Sequence, residues 1–207
     1  MPKSKIKHTN KSQPAELSSF SKKERSDLIK LARDVIKSKF GYNDIDIPVS
    51  LKTIIVEPKG LFVTIYKNDK LRGCIGFSEP IFPLGIALIR AANLAAFEDP
   101  RFDPIEENEL EQIKIEVSIL SKPEQIIAEK PEDYVKKINI GKDGLIVQSN
   151  NKSGLLLPQV AVEHNFDAEE FLNQVCIKAG LDKSAWKKKE TKILKFQTET
   201  IKESESN

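Results

Sequence analysis

Two short turn signals restrict this chain's fold more than anything else in it. Lys67-Asn68-Asp69-Lys70 separates the β-rich runs Leu61–Tyr66 and Leu71–Ile75, and Asn150-Asn151-Lys152-Ser153-Gly154 separates Leu145–Gln148 from Leu155–Leu157. A strand pair closed by so few residues must run antiparallel, because a parallel pair needs a crossover of a dozen residues or more. The helical patterns fall between such pairs rather than after every strand. That order predicts an α+β protein, with a mixed or mostly antiparallel sheet flanked by helices, and not a doubly wound parallel fold. No internal repeat is present.

The helices announce their ends. Ser21 followed by Glu24 forms a capping-box pattern, Leu28, Leu31, Ala32, Val35 and Ile36 recur at helical spacing, and Gly41 supplies a stop. A long apolar helix is expected over Ile81–Phe97, with Pro83 in its first turn and Leu84, Leu88, Ala91, Ala92 and Ala95 on its buried stripe. Its small side chains suit the close approach of a sheet. Pro100 and Pro104 end it. Lys114–Leu120 alternates as a half-buried strand, and Pro131–Ile138 reads as a short helix. Asp167 with Glu170 opens a helix carrying Phe171, Leu172, Val175, Cys176 and Ala179 to a stop at Gly180, and Lys192–Ile201 reads as one last strand.

The 207 residues suit one large domain or two small ones. With 33 basic and 31 acidic side chains, net charge points to no nucleic acid or other partner. Residues 1–18 hold Lys3, Lys5, Lys7 and Lys11 but few large apolar groups, so a disordered basic tail is expected there, with a folded unit over 19–202 and a frayed end over 203–207. No apolar run reaches the ~18 residues of a membrane span. The N-terminus lacks a secretory pattern, and two cysteines cannot staple a secreted scaffold. The expectation is a soluble cytoplasmic protein. Its Lys, Glu and Ile content leans towards a thermophilic or AT-rich source.

Metal chemistry finds no support, since the histidines are His8 and His164 alone and no paired Cys or His spacing exists. His164 beside Glu163 reads as a surface pair. Gly73-Cys74-Ile75-Gly76 looks like an RNA-clamping Gly-x-x-Gly loop but follows a strand instead of joining two helices. Lys187-Lys188-Lys189 beside Trp186 offers phosphate contacts and a stacking ring for RNA, or simply a solvated loop. Cys176 lies on an apolar helical stripe and reads as structural. Cys74 differs. Strand alternation puts Leu71, Gly73 and Ile75 on one face and Arg72 with Cys74 on the other, where a guanidinium would favour thiolate. Either a reactive thiol or a small residue in a tight corner satisfies that pattern.

The run Leu71-Arg72-Gly73-Cys74-Ile75-Gly76 resembles the hallmark hexapeptide of the AMMECR-one domain family. Phe97-Glu98-Asp99-Pro100-Arg101-Phe102, Ile115-Glu116-Val117-Ser118, Gly141-Lys142-Asp143-Gly144-Leu145, Gly154-Leu155-Leu156-Leu157-Pro158-Gln159-Val160 and Ala179-Gly180-Leu181 with Trp186 resemble its later motifs in order. The resemblance runs from about Ser18 to Lys202. It implies an α+β fold of two closely packed subdomains, and no settled activity or cofactor. Family members are often encoded near, or fused to, a Memo-like domain and a radical SAM enzyme. That association suggests a modification pathway acting on RNA or another macromolecule. The chain itself lacks the Cys-x-x-x-Cys-x-x-Cys motif of an iron–sulfur enzyme.

Two roles for the hexapeptide follow. In an enzyme, Cys74 is the nucleophile or covalent acceptor, Arg72 holds an anionic group or activates the thiol, and Glu98, Asp99 or Glu116 handles protons. In a binding or adaptor module, Arg72, Arg101, Leu71, Gly73, Ile75, Gly76 and Gln159 shape a groove for a peptide, nucleotide or partner.

Overall fold

The computed structural model describes residues 20–42 and 44–203; the expected tail over 1–18 and residues 204–207 of the expected frayed end lie outside them. The helices are α1 (Lys22–Ser38), α2 (Leu84–Phe97), α3 (Pro131–Lys136), α4 (Pro158–Glu163) and α5 (Ala168–Lys178). The strands are β1 (Leu61–Lys67), β2 (Lys70–Phe77), β3 (Ile113–Leu120), β4 (Glu124–Gln125), β5 (Gly144–Ser149), β6 (Lys152–Leu156), β7 (Lys192–Phe196) and β8 (Thr198–Lys202). They form two four-stranded sheets, ordered β2-β1-β3-β8 and β4-β7-β5-β6, and every pairing is antiparallel.

Local chemistry accounts for the elements. Both hairpins turn on two residues with positive φ, Asn68-Asp69 and Asn150-Asn151. Asn and Asp tolerate that conformation best among residues with a side chain, and the resulting turns match strand twist. Ser21 and Glu24 close the capping box of α1, and Asp167 caps α5 by accepting from the Glu170 N–H at 2.8 Å. The second long helix starts later than its apolar pattern suggests. Pro83 is its cap rather than a first-turn residue, and the Leu84 N–H donates to the Glu57 carbonyl.

Each sheet has its own core. Leu28, Leu31 and Ile36 of α1 and Leu84, Leu88, Ala91 and Ala92 of α2 pack on Leu61, Val63, Ile65, Ile115 and Val117 of the first sheet. Phe171, Leu172 and Val175 of α5, with Trp186, pack on Leu145, Val147 and Ile193 of the second. A smaller cluster joins the halves, in which Phe62 and Leu120 of the first sheet meet Ile146, Leu155, Leu194 and Phe196 of the second.

The single last strand expected over Lys192–Ile201 is two strands in different sheets. At Gln197 the chain leaves one sheet for the other, and the β3–β4 connection crosses beside it. The Ser121 N–H donates to the Gln197 carbonyl, and the Gln197 N–H donates to Ser121 Oγ, both at 2.9 Å. β3 pairs with β8 and β4 with β7, so an antiparallel two-stranded ribbon passes through both sheets. Glu203, at the start of the expected frayed end, is held by Arg33 and accepts from the Ile115 N–H at 3.0 Å.

Candidate functional site

The site begins at Gly73. A Cβ there would lie 2.0 Å from the Ala95 carbonyl oxygen, so only glycine lets the end of α2 rest directly on β2. That contact carries the next turn, Asp99-Pro100-Arg101, to the outer edge of β2. β2 is an edge strand, and Thr64 of β1 pairs with Cys74 on the inner side. The outer side is closed by two side chains. Asp99 Oδ2 accepts from the Cys74 N–H at 2.8 Å, and Arg101 donates to the Cys74 carbonyl at 3.0 Å. Arg101 also donates to both Asp99 oxygens, at 2.9 and 2.7 Å. The pair thus replaces a neighbouring strand and fixes the backbone of Cys74 at both polar groups. Asp99 is buried, and the Arg101 guanidinium, then the Cys74 and Arg101 N–H groups, hold its carboxyl far below the usual carboxylate range against the opposing effect of burial. The carboxylate so held positions the Cys74 backbone.

Arg72 takes a different place from the one alternation suggests. The β1–β2 register shifts at Ile65/Tyr66, where Ile65 pairs with Gly73 but Tyr66 with Leu71. This bulge makes Arg72 the extra residue and puts Leu71 on the Tyr66 face, away from Gly73 and Ile75. The guanidinium of Arg72 then donates to both oxygens of Glu109 at 3.0 Å and to the carbonyls of Asp103 and Pro104. Its donors are committed to the fold. Lys67 also donates to Glu109, at 2.9 Å. Arg72, opposed by burial and helped by the Glu106 N–H and Lys67, brings the Glu109 carboxyl down to about 2.

Replacing Glu109 with Gln is therefore expected to cost roughly 2–3 kcal/mol at neutral pH, below a fully buried pair because Lys67 is partly solvated. A lowered carboxyl pKa stabilises the fold above the unfolded value of 4.5 and stops doing so as pH falls through about 2. Urea titrations should show the wild-type advantage over Glu109→Gln shrinking across that window.

On the sheet face away from α1 and α2, register aligns Cys74, Thr64, Glu116 and Lys202 in one row across β2, β1, β3 and β8. Cys74 is half-buried, and its Sγ lies 3.2 Å from Thr64 Oγ1. Tyr66, Glu116, Thr200 and Lys202 floor a cleft of about 520 Å³ whose far wall is α4, with Gln159, Val162 and Glu163. Burial raises the Tyr66 pKa, and negative charge on Glu116, Cys74 and Glu163 adds to it. Lys178 stands at the end of α5. It makes no hydrogen bond or ion pair among the described residues. The residue is exposed, and partial loss of solvent lowers its pKa; Cys74 charge opposes this and Arg101 assists it.

The other expected site residues fall elsewhere. Glu98 is exposed at the end of α2 and accepts from Asn93 at 3.0 Å. Ile75 packs on the first core, and Gly76 makes room for Phe62, which its Cβ would strike at 2.6 Å. Both are packing residues. Trp186 is buried and donates to Asn173 Oδ1 at 2.9 Å, so it offers no ring for a base beside Lys187. Cys176 is fully buried, and burial pushes its thiol pKa up. His164 caps α4 and stacks on Phe166. No group of His, Cys, Asp and Glu among the described residues could hold a metal, and no described helix is long and apolar enough to cross a membrane.

Tyr66, Thr64 and Lys202 enter the site without having been expected there. Period-two alternation along Leu61–Lys67 carried the signal for Thr64 and Tyr66, the polar face of a strand otherwise read for its apolar one.

Known proteins are similar to this chain. A 45% identical protein of Methanothermobacter thermautotrophicus aligns over 89% of this chain and 96% of its own length. One from Nanoarchaeum equitans is 41% identical over 85% and 98%, respectively. The crystal structure of an uncharacterized protein from Pyrococcus horikoshii superposes with a TM-score of 0.78 at 42% identity, covering 86% of this chain and 90% of that one. The sequence model of the AMMECR1 family matches residues 29–201, and with these relatives it shows that the chain belongs to the AMMECR1 family.

Proposed function

We propose that this protein is a component of a modification pathway in which Cys74 accepts a group covalently from a substrate held in the cleft between β1–β3–β8 and α4. The observation that carries this reading is the presentation of Cys74. Its backbone is pinned by Asp99 and Arg101 while its half-buried sulfur faces the cleft side of the sheet. In the step itself, sulfur forms a bond to an electrophilic carbon of an activated substrate, and the leaving group departs with the bonding electrons. The thiol proton passes through the Thr64 hydroxyl towards Glu116, the next residue in the row.

Iodoacetamide labelling read by mass spectrometry tests this. Cys74 in the folded protein is expected to react roughly tenfold faster than free cysteine near neutral pH. Cys176 should stay unlabelled until denaturant is added. Labelling of Cys74 no faster than free cysteine would remove the covalent role. A binding module is the second reading, and the size and mixed polarity of the cleft support it. Under that reading Cys74→Ser keeps its partners, whereas Gln159→Arg, which fills the cleft wall, loses them.

A further inference from the structure

The cleft between β1–β3–β8 and α4 is lined by side chains whose hydrogen bonding is incomplete. Resting on the reading that this cleft holds the substrate, we infer that it seats an alkylammonium group, an aliphatic stem ending in a protonated amine.

Tyr66 and Thr198 from the sheet and Gln159 from α4 are each half-buried on the cleft wall. Among the described residues, none of these three side chains makes a hydrogen bond. Polar groups held partly out of water favour a ligand that completes them. Charge decides which ligand. Glu116 and Lys202 stand opposite each other in the β3–β8 register and offset one another, whereas Glu163 has neither ion pair nor hydrogen bond among the described residues. The cleft is thus left with one uncompensated carboxylate, which repels an anion and attracts a cation. Tyr66, Gln159 and Glu163 all offer oxygen acceptors, and an ammonium brings three N–H donors and no acceptor. Val162, 55% exposed, gives the α4 wall an apolar surface for the stem. Tyr66, Glu116 and Lys202 also line a second cleft of about 300 Å³, so the two spaces are contiguous. In that extension Asp69 is paired with Lys114 at 3.1 Å and Glu203 with Arg33, which adds room for a longer molecule without another unanswered charge.

A free amine and the lysyl side chain of a peptide share this chemistry, and binding distinguishes them. n-Butylammonium and, separately, acetyl-Gly-Lys-Gly-amide are titrated into the full chain, each against its neutral counterpart, n-butanol and the norleucine peptide. The NMR ring signals of Tyr66, assigned by their loss in Tyr66→Phe, follow the binding. They should shift and saturate with at least one of the two amines, which should bind roughly fivefold more tightly than its counterpart, the scale of a partly solvated ion pair. Saturation by butylammonium alone assigns the free amine, and saturation by the peptide assigns the lysyl side chain. Glu163→Gln and added salt should each remove the preference. No shift with either amine, equal binding by the neutral counterparts, or a preference that survives Glu163→Gln would overturn the inference. Iodoacetamide labelling of Cys74 on the same protein keeps the two readings apart. Fast labelling with no ammonium shift overturns the amine and leaves the covalent role standing, and slow labelling with a saturating shift does the reverse.

Discussion

Gly73→Ala is expected to lower the melting temperature by roughly 6–12 °C, the shift that about 3 kcal/mol produces in a chain of this size. The added methyl would sit 2.0 Å from the Ala95 carbonyl oxygen and 3.1 Å from the carbonyl carbon. Backbone on both sides leaves nothing flexible to yield, so α2 must lift from β2 or β2 must bend. Gly41→Ala is the control. Gly41 has φ +80 with open space around its Cβ position, so it carries only the roughly 1–2 kcal/mol of a left-handed backbone. Equal losses in the two variants would mean that the strand–helix contact is not what confines Gly73. The variant should also alter Cys74 alkylation, because the turn that holds Cys74 follows directly from the end of α2.

The second large effect is expected at Asp99. Asp99→Ala leaves the Cys74 N–H without its acceptor and Arg101 without its carboxylate, and should cost about 3 kcal/mol in urea unfolding. That is the low end for a broken buried pair, because Arg101 remains largely in water. Asp99→Asn keeps an acceptor for the N–H and should lose less. Since the native carboxyl is held below its usual value of 3.8, its stabilising effect is complete above that value. The gap between wild type and Asp99→Asn should therefore be constant near neutrality and narrow only as pH falls below about 4. Asp99→Ala also exposes an unpaired strand edge, so it should self-associate at concentrations where wild type does not. A variant that stays as stable as wild type and associates no more than it does would show that the edge needs no cover.

Much of the architecture is readable from residues that act locally. The paired Asn and Asp of the two hairpins, the Ser21–Glu24 box and the alternation of Ile115, Val117 and Ile119 each specify their own segment. What escapes is what depends on partners distant in sequence. The bulge before Gly73 turns Arg72 towards Glu109, 37 residues away, and no alternation rule shows that. The break at Gln197 is set by Ser121 and not by any turn residue of its own. Trp186 reads as a loop aromatic beside lysines until Asn173 is seen accepting its N–H. At the site, Cys74 and Asp99 stand out as residues, but their relation is a strand edge meeting a helix end, made possible by one missing methyl group.

The ribbon through Ser121 and Gln197 also sets a timetable for synthesis. Strand β8, which completes the first sheet beside β3, is translated only after every residue of the second sheet has been made. On the ribosome, α1, α2 and β1–β3 must wait with an open margin while the other half closes around β7, and the half begun first is finished last. A pause in translation near residue 190 would prolong that unfinished state, and the nascent chain would be most vulnerable to proteolysis or mispairing along β3.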